Sequence, residues 1–318
     1  MNFIDSLPLF SITNAWLVPL WRVAAVAAVA VIGLYALSYL FQLVAPRLVA
    51  ISRATAKEAI AQPLFFIVLL VGVFALVMLT ILPYNTFGED IKIYKDSGLT
   101  LIMLLSVGFA LWTASLSIAE EIEGRTALTV LSKPIARWQF IVGKFFGILW
   151  PVAVLFIVLG AVFLSCVSYK TAYDARETSQ QDPTAEVCWE QIEQITPGLA
   201  LVFMEAAVLA SISVAISTRL PMLANLVICG SIYFLGHLVP ILANSAVGKL
   251  PQVGFIANLL SAVLPVLENF NATGIAYLEP TDGPVPLAYI GLSAVYCLLY
   301  CGVAMLLALL LFEDRDLA

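Results

Sequence analysis

The sequence predicts an all-α polytopic membrane protein, and three observations carry that reading. Of its 318 residues, 62% are apolar and only 11% charged, against about 25% charged in a typical soluble domain. Mean hydropathy is +1.02. Apolar stretches recur at roughly the 20-residue length that a helix needs to cross a hydrocarbon core of about 30 Å. Together these values exclude a disordered chain, a secreted disulfide scaffold and an ordinary water-soluble enzyme. The net charge is −6, from 15 Lys+Arg and 21 Asp+Glu, and no basic stripe of the kind that holds nucleic acid is present.

Seven spans follow in order. The first covers about 17–44 and is too long for a signal-peptide core, with no small-residue cleavage pattern after it, so it reads as a retained anchor. The second runs 63–82, between Pro63 and Pro83. The third covers about 97–118 and the fourth about 141–166. The fifth, at 198–218, and the sixth, at 222–243, are parted only by Arg219-Leu220-Pro221. The last is 286–312. Apolar residues surround these helices instead of forming a stripe, as expected where lipid or protein covers every face. Residues 167–197 are polar and acidic, and read as a loop with a short helix at Thr184–Glu193 that ends near Pro197-Gly198. Within 244–285, the stretch Val253–Val266 is too short to span and reads as interfacial or re-entrant.

Orientation follows from where Lys and Arg collect. Nine lie on one side: Arg47, Arg53, Lys57, Arg125, Lys133, Arg137, Lys144, Arg219 and Arg315. Six lie on the other: Arg22, Lys92, Lys95, Lys170, Arg176 and Lys249. The nine sit in short loops close to span ends, which places that side, and the C-terminus, in the cytoplasm.

The cytoplasmic segment 119–144 carries the functional signal. Ile118 and Ile122 share a helix face, as do Leu128 and Leu131, and Glu121 stands four residues before Arg125 in the favourable order. Ser132 can cap a following helix, with Pro134 in its first turn. The pattern is a charged helix leaving span three, a tight turn, and a helix running back into span four. Read in order, Glu121, Glu123, Gly124, Arg125, Thr126, Leu131, Ser132, Lys133, Pro134, Ile135, Arg137, Gly143 and Lys144 resemble the coupling region of ABC-2 type transporter permeases. Ala56-Lys57-Glu58 before Gln62-Pro63 resembles the interfacial helix that precedes the first span of that family. Ile216-Ser217-Thr218, Gly236-His237 and Leu264–Asn271 resemble further family segments.

The resemblance covers about residues 50–313 and implies a six-span ABC-2 type helical bundle, here with an additional N-terminal transmembrane helix. The implied division is an anchor at 1–45, an interfacial helix at 46–62 and a permease domain at 63–318. It further implies a multi-pass protein of a bacterial inner membrane that exports a substrate. The partners implied are a second permease copy or homologue and a separate ABC ATP-binding subunit, with ATP and Mg bound on that subunit. The expected docking residues are Glu120, Glu121, Glu123, Gly124, Arg125, Thr126, Leu128, Leu131, Ser132, Lys133, Pro134 and Arg137. The chain itself has no Gly-x-x-x-x-Gly-Lys-Ser/Thr phosphate loop, so no cofactor and no ATP hydrolysis are expected on it.

Two intramembrane groups stand apart. Glu205, about two turns into span five and near its outer third, is a costly carboxylate in lipid. His237 is the only histidine, and with no Cys-x-x-Cys or His-Glu-x-x-His the sequence offers no metal site. Cys166 and Cys188 fall on the external side, where a bridge is permitted, while Cys297 and Cys301 share one helix face as packing residues. Gly143 and Gly147 form a small-xxx-small pair that permits close helix approach, and Ala24, Ala25, Ala27, Ala28 and Ala30 permit the same for span one. Two other functions fit the same composition: a non-transporting anchor that recruits an ATPase, or an intramembrane enzyme. The second lacks a paired catalytic constellation.

Overall fold

The computed structural model describes residues 14–82, 84, 90–123, 136–178, 182–244, 251–271, 273–276 and 285–313. These residues form helices α1 (Leu20–Val44), α2 (Pro46–Ala61), α3 (Pro63–Ile81), α4 (Asp90–Glu123) and α5 (Arg137–Glu177). They continue as α6 (Ala185–Ser217), α7 (Met222–Asn244), α8 (Pro251–Val263), α9 (Thr273–Ala276) and α10 (Leu287–Glu313). Seven helices are long and apolar enough to cross a membrane: all of these except α2, α8 and α9. The chain is a multi-pass membrane protein.

Proline sets the early boundaries. Ala45 and Gln62 each precede a proline and leave the helical region, Gln62 at φ −67° and ψ 136°. The proline ring crowds the residue before it, which favours extended backbone. Pro46 and Pro63 then open α2 and α3 at first-turn positions where no amide donor is required. α2 is the amphipathic element: Leu48, Val49, Ser52, Thr55 and Ala59 are buried along one face, while Arg47, Arg53, Lys57 and Glu58 are exposed.

α5 is the mast of the bundle, touching α1, α2, α3, α4, α6 and α10. Its 41 residues extend about 61 Å at 1.5 Å per residue. It runs unbroken through Pro151. α6 likewise runs through Pro197, so the expected short helix at Thr184–Glu193 is instead the opening of a 33-residue helix. The expected loop at 167–197 is therefore mostly two helix ends, α5 reaching Glu177 and α6 starting at Ala185. The third span also begins earlier than residue 97, with Asp90 in its first turn. In a polar environment these overhanging turns need no apolar run, which is why hydropathy stops short of them.

One end of the bundle gathers the α1–α2 junction, the end of α4, the start of α5, the α6–α7 turn and the end of α10. There Phe140 of α5 stacks on Phe312 of α10 at 5.7 Å, and Arg219 Nε donates to the Leu311 carbonyl at 2.7 Å. This basic end carries the described members of the nine-cation group. The far end holds Trp16, Asp90, Lys170 and Asp174. α1 is peripheral, with Val23 its one buried residue. The alanines that permit close helix approach on it are mostly exposed, Ala27 alone being partly covered.

The expected small-residue pair on α5 does bring a helix close, and its partner is α2. A Cβ on Gly147 would sit 2.6 Å from Thr55 Cβ and 2.9 Å from the Ser52 carbonyl oxygen. One on Gly143 would meet Ile51 Cβ at 3.0 Å and the Leu48 carbonyl oxygen at 3.2 Å. Gly147→Leu is expected to lower stability by about 1–3 kcal/mol through overpacking. Gly108→Ala, where a Cβ has nothing within 4 Å, is expected to be neutral or stabilising. Thermal unfolding of the two purified variants checks this; equal midpoints would contradict the α2–α5 contact.

Candidate functional site

At the basic end, α2, α4 and α5 meet in a joint. Lys144 lies between Gly143 and Gly147 and is buried at 2% exposure. Its Nζ donates to the Ser117 carbonyl at 3.1 Å and to Ser117 Oγ at 3.0 Å, and lies 5.8 Å from the Phe140 ring. Ser117 is in the last turns of α4, so a buried ammonium ties the two helices on either side of residues 124–135. α2 closes the joint from the side through the two glycines.

The expected docking residues distribute as follows. Glu120, Glu121 and Glu123 lie on the last turns of α4, whose backbone helix continues to Glu123; their side chains are outside the described residues. Gly124, Arg125, Thr126, Leu128, Leu131, Ser132, Lys133 and Pro134 are also outside the described residues, and so is the expected Ser132 cap. Arg137 opens α5 on the exposed surface, where the Ala136 amide donates to Gln139 Oε1 at 3.2 Å.

Deeper in the bundle, polar side chains cross-link helices. Asn225 of α7 is fully buried, and its Nδ2 lies 2.7 Å from Ser115 Oγ on α4. The same nitrogen lies 2.8 Å from Ser213 Oγ and from Ser217 Oγ on α6. Ser115 and Ser217 donate their own hydroxyl hydrogens to carbonyls one turn back, so their oxygens are free to accept from the amide. Ser217 belongs to the Ile216-Ser217-Thr218 segment noted in the sequence, whereas Asn225 was not singled out there.

The structure brings Glu205 and His237 together. Glu205 is 1% exposed on α6, and its Oε1 lies 3.4 Å from His237 Nε2 on α7. His237 Nδ1 lies 3.2 Å from the Tyr233 carbonyl oxygen, and the Tyr233 ring packs on the imidazole at 4.9 Å. Both ring nitrogens thus face oxygen, while neutral imidazole has a single N–H. Nearby, Gly236 packs beneath Leu267 and the Pro265 carbonyl. Two segments that the resemblance singled out therefore touch.

The far end contains a centre that sequence reasoning missed. Lys170 is fully buried, with Nζ 3.5 Å from Asp90 Oδ2 and 3.3 Å from Asp174 Oδ1. Its ammonium also lies 4.8 Å from the Tyr173 ring. The four-residue spacing of Lys170 and Asp174 was the local clue; Asp90 comes from another helix. Carboxylate oxygens of Asp90, Asp174 and Glu177 lie within 4.8 Å of one another, but a cation of the chain already sits against two of the three. Burial, together with the nearby Asp90 carboxylate, pushes the Tyr84 phenol above its usual range. Cys166 and Cys188 are free thiols, so the permitted bridge is not formed. Cys297 and Cys301 pack α10 onto α6, their thiols 3.5 Å and 3.7 Å from the Met204 and Ala207 carbonyls.

No protein-family model matches the chain, and no curated protein matches it.

The Glu205–His237 contact generates a double-substitution test. His237→Phe removes the imidazole contact of Oε1, an oxygen that forms no hydrogen bond among the described residues. The expected cost is about 1–3 kcal/mol. Adding Glu205→Leu removes both polar partners and is expected to restore most of that loss. Chemical unfolding midpoints of the single and double variants provide the readout, and strictly additive losses would count against the pairing.

Proposed function

We propose that the chain is the membrane-spanning permease subunit of an ABC-2 type transporter. In this reading it works as a dimer with a second copy or homologue, and exports a substrate with ATP hydrolysed on separate ATP-binding subunits. The basic end faces the cytoplasm. The succession of residue types along the sequence from Glu121 to Lys144 is the primary support, and the observation that carries the mechanical reading is the Lys144–Ser117 joint.

A docking segment can do work only if its displacement reaches the spans. Here the segment between α4 and α5 springs from two helices that a buried lysine holds together, with α2 pressed against the same turns. Movement of the segment is passed to α4 and α5 as a unit, which biases the bundle between two packings instead of merely bending a loop. Glu120, Glu121 and Glu123 supply acidic groups to the ATPase surface, and Arg125, Lys133 and Arg137 basic ones. Leu128 and Leu131 fill an apolar groove in that surface.

Charge reversal tests the assignment. Glu123→Lys with Arg125→Glu is expected to reduce co-purification of the ATP-binding subunit at least tenfold and to abolish ATP-dependent substrate movement in vesicles. Unchanged co-purification and transport would overturn the reading. Wild-type chain that retains the ATPase yet moves no substrate would instead identify a membrane scaffold that recruits it.

A further inference from the structure

The additional helix α1 does more than lengthen the chain. Where it passes α2 and α5 it leaves an apolar groove of about 440 Å³, within the range of about 300–1,000 Å³ typical of small-molecule sites. Its walls include Phe41 of α1 and Phe146, Leu149 and Trp150 of α5. A shallower apolar trough of about 330 Å³ continues it along α1 to Ala30 and Gly33, sharing Leu34, Leu37, Ala153 and Phe203 with the first. Small residues keep that trough open: a Cβ on Gly33 would have nothing within 4 Å.

The two ends of this groove differ in chemistry. From Ala30 to Phe41 the walls along α1 are apolar except for Ser38 and the hydroxyl of Tyr35. That distance is about 16 Å at 1.5 Å per residue, close to half of a hydrocarbon core of about 30 Å. At the α2 end the lining includes Arg53 and Lys57, both exposed, whereas Glu58, the only acidic residue of α2, is not part of it. Arg53 Nη2 donates to Gln42 Oε1 at 2.8 Å, which aims the guanidinium across the α1–α2 corner and engages one of its five N–H donors.

An apolar trough one leaflet deep, ending in two cations at the level of an interfacial helix, is complementary to one class of molecule. We propose that the α1–α2–α5 groove binds an anionic phospholipid of the leaflet at the basic end. An acyl chain lies along Ala30–Phe41, and the phosphodiester lies against Arg53 and Lys57. The acyl chain supplies the dispersion contacts that the small side chains of α1 leave unmade. The guanidinium fork suits a phosphate geometrically, and each interfacial cation contributes electrostatic attraction. The lipid thereby joins α1 to the rest of the bundle. This inference rests on the groove alone and does not depend on the ATPase-coupling reading.

The test uses the full chain in nanodiscs containing equal amounts of phosphatidylglycerol and phosphatidylcholine, followed by native mass spectrometry of retained lipid. Wild type is expected to retain phosphatidylglycerol about thirtyfold over phosphatidylcholine, the effect of two interfacial cations at about 1 kcal/mol each. Arg53→Gln with Lys57→Gln is expected to bring the two lipids near parity. Gly33→Phe, which fills the trough without touching charge, is expected to reduce retention of both. A photo-crosslinker replacing Leu37 is expected to label phospholipid. Parity in the wild type, an undiminished preference in the charge variant, full retention in Gly33→Phe, or a crosslink to a second copy of the chain would each overturn the proposal.

Discussion

The absence of side chains at Gly143 and Gly147 governs how near α2 can lie to α5, and much of the architecture depends on that distance. Thr55 and Ile51 sit where Cβ atoms would otherwise be. With α2 drawn in, its apolar face is covered and its charged face is turned outward. Lys144, between the two glycines, then reaches α4 through the Ser117 carbonyl and hydroxyl. Three helices are fixed by five residues of one of them. The same close approach sets the angle at which α1 arrives, since only Ala45 separates α1 from α2.

Elsewhere polar groups take over the role that glycine plays at this joint. Lipid tails are as apolar as leucine, so packing between spans gains little from the hydrophobic effect, and hydrogen bonds distinguish one helix arrangement from another. Asn225 links three helices near the basic end, Glu205 and His237 link two near the middle, and Lys170 with Asp90 links two at the far end. Each is a group costly to leave alone in hydrocarbon. Their spacing along the bundle gives it polar anchors at three levels, with apolar packing between them.

The spans were legible because their signal is compositional and local. α2 was legible through its charges and flanking prolines, and Gly143 and Gly147 through their four-residue spacing. The parts that were not legible all require non-local geometry or run against local cues. Hydropathy cannot see that α5 reaches Glu177 and α6 starts at Ala185, because those turns are polar. Pro197 looked like a terminus, yet the helix passes through it. The alanines of α1 permit a close approach that its peripheral position does not use. Glu205 and His237 were each visible, but their meeting depends on the register that the Arg219–Pro221 turn imposes on α6 and α7. Lys170 was read as a loop charge, although it is buried between two helices.

Pro151 gives the α2–α5 contact a second meaning. A proline lacks the amide that would bond to the carbonyl four residues earlier, and in α5 that carbonyl belongs to Gly147. The turn on which α2 presses is therefore also the turn with one fewer rung in its ladder. Stiffness along the rod is lowest where the outside helix leans on it. The load that α2 places on α5 therefore falls on the turn whose backbone resists bending least.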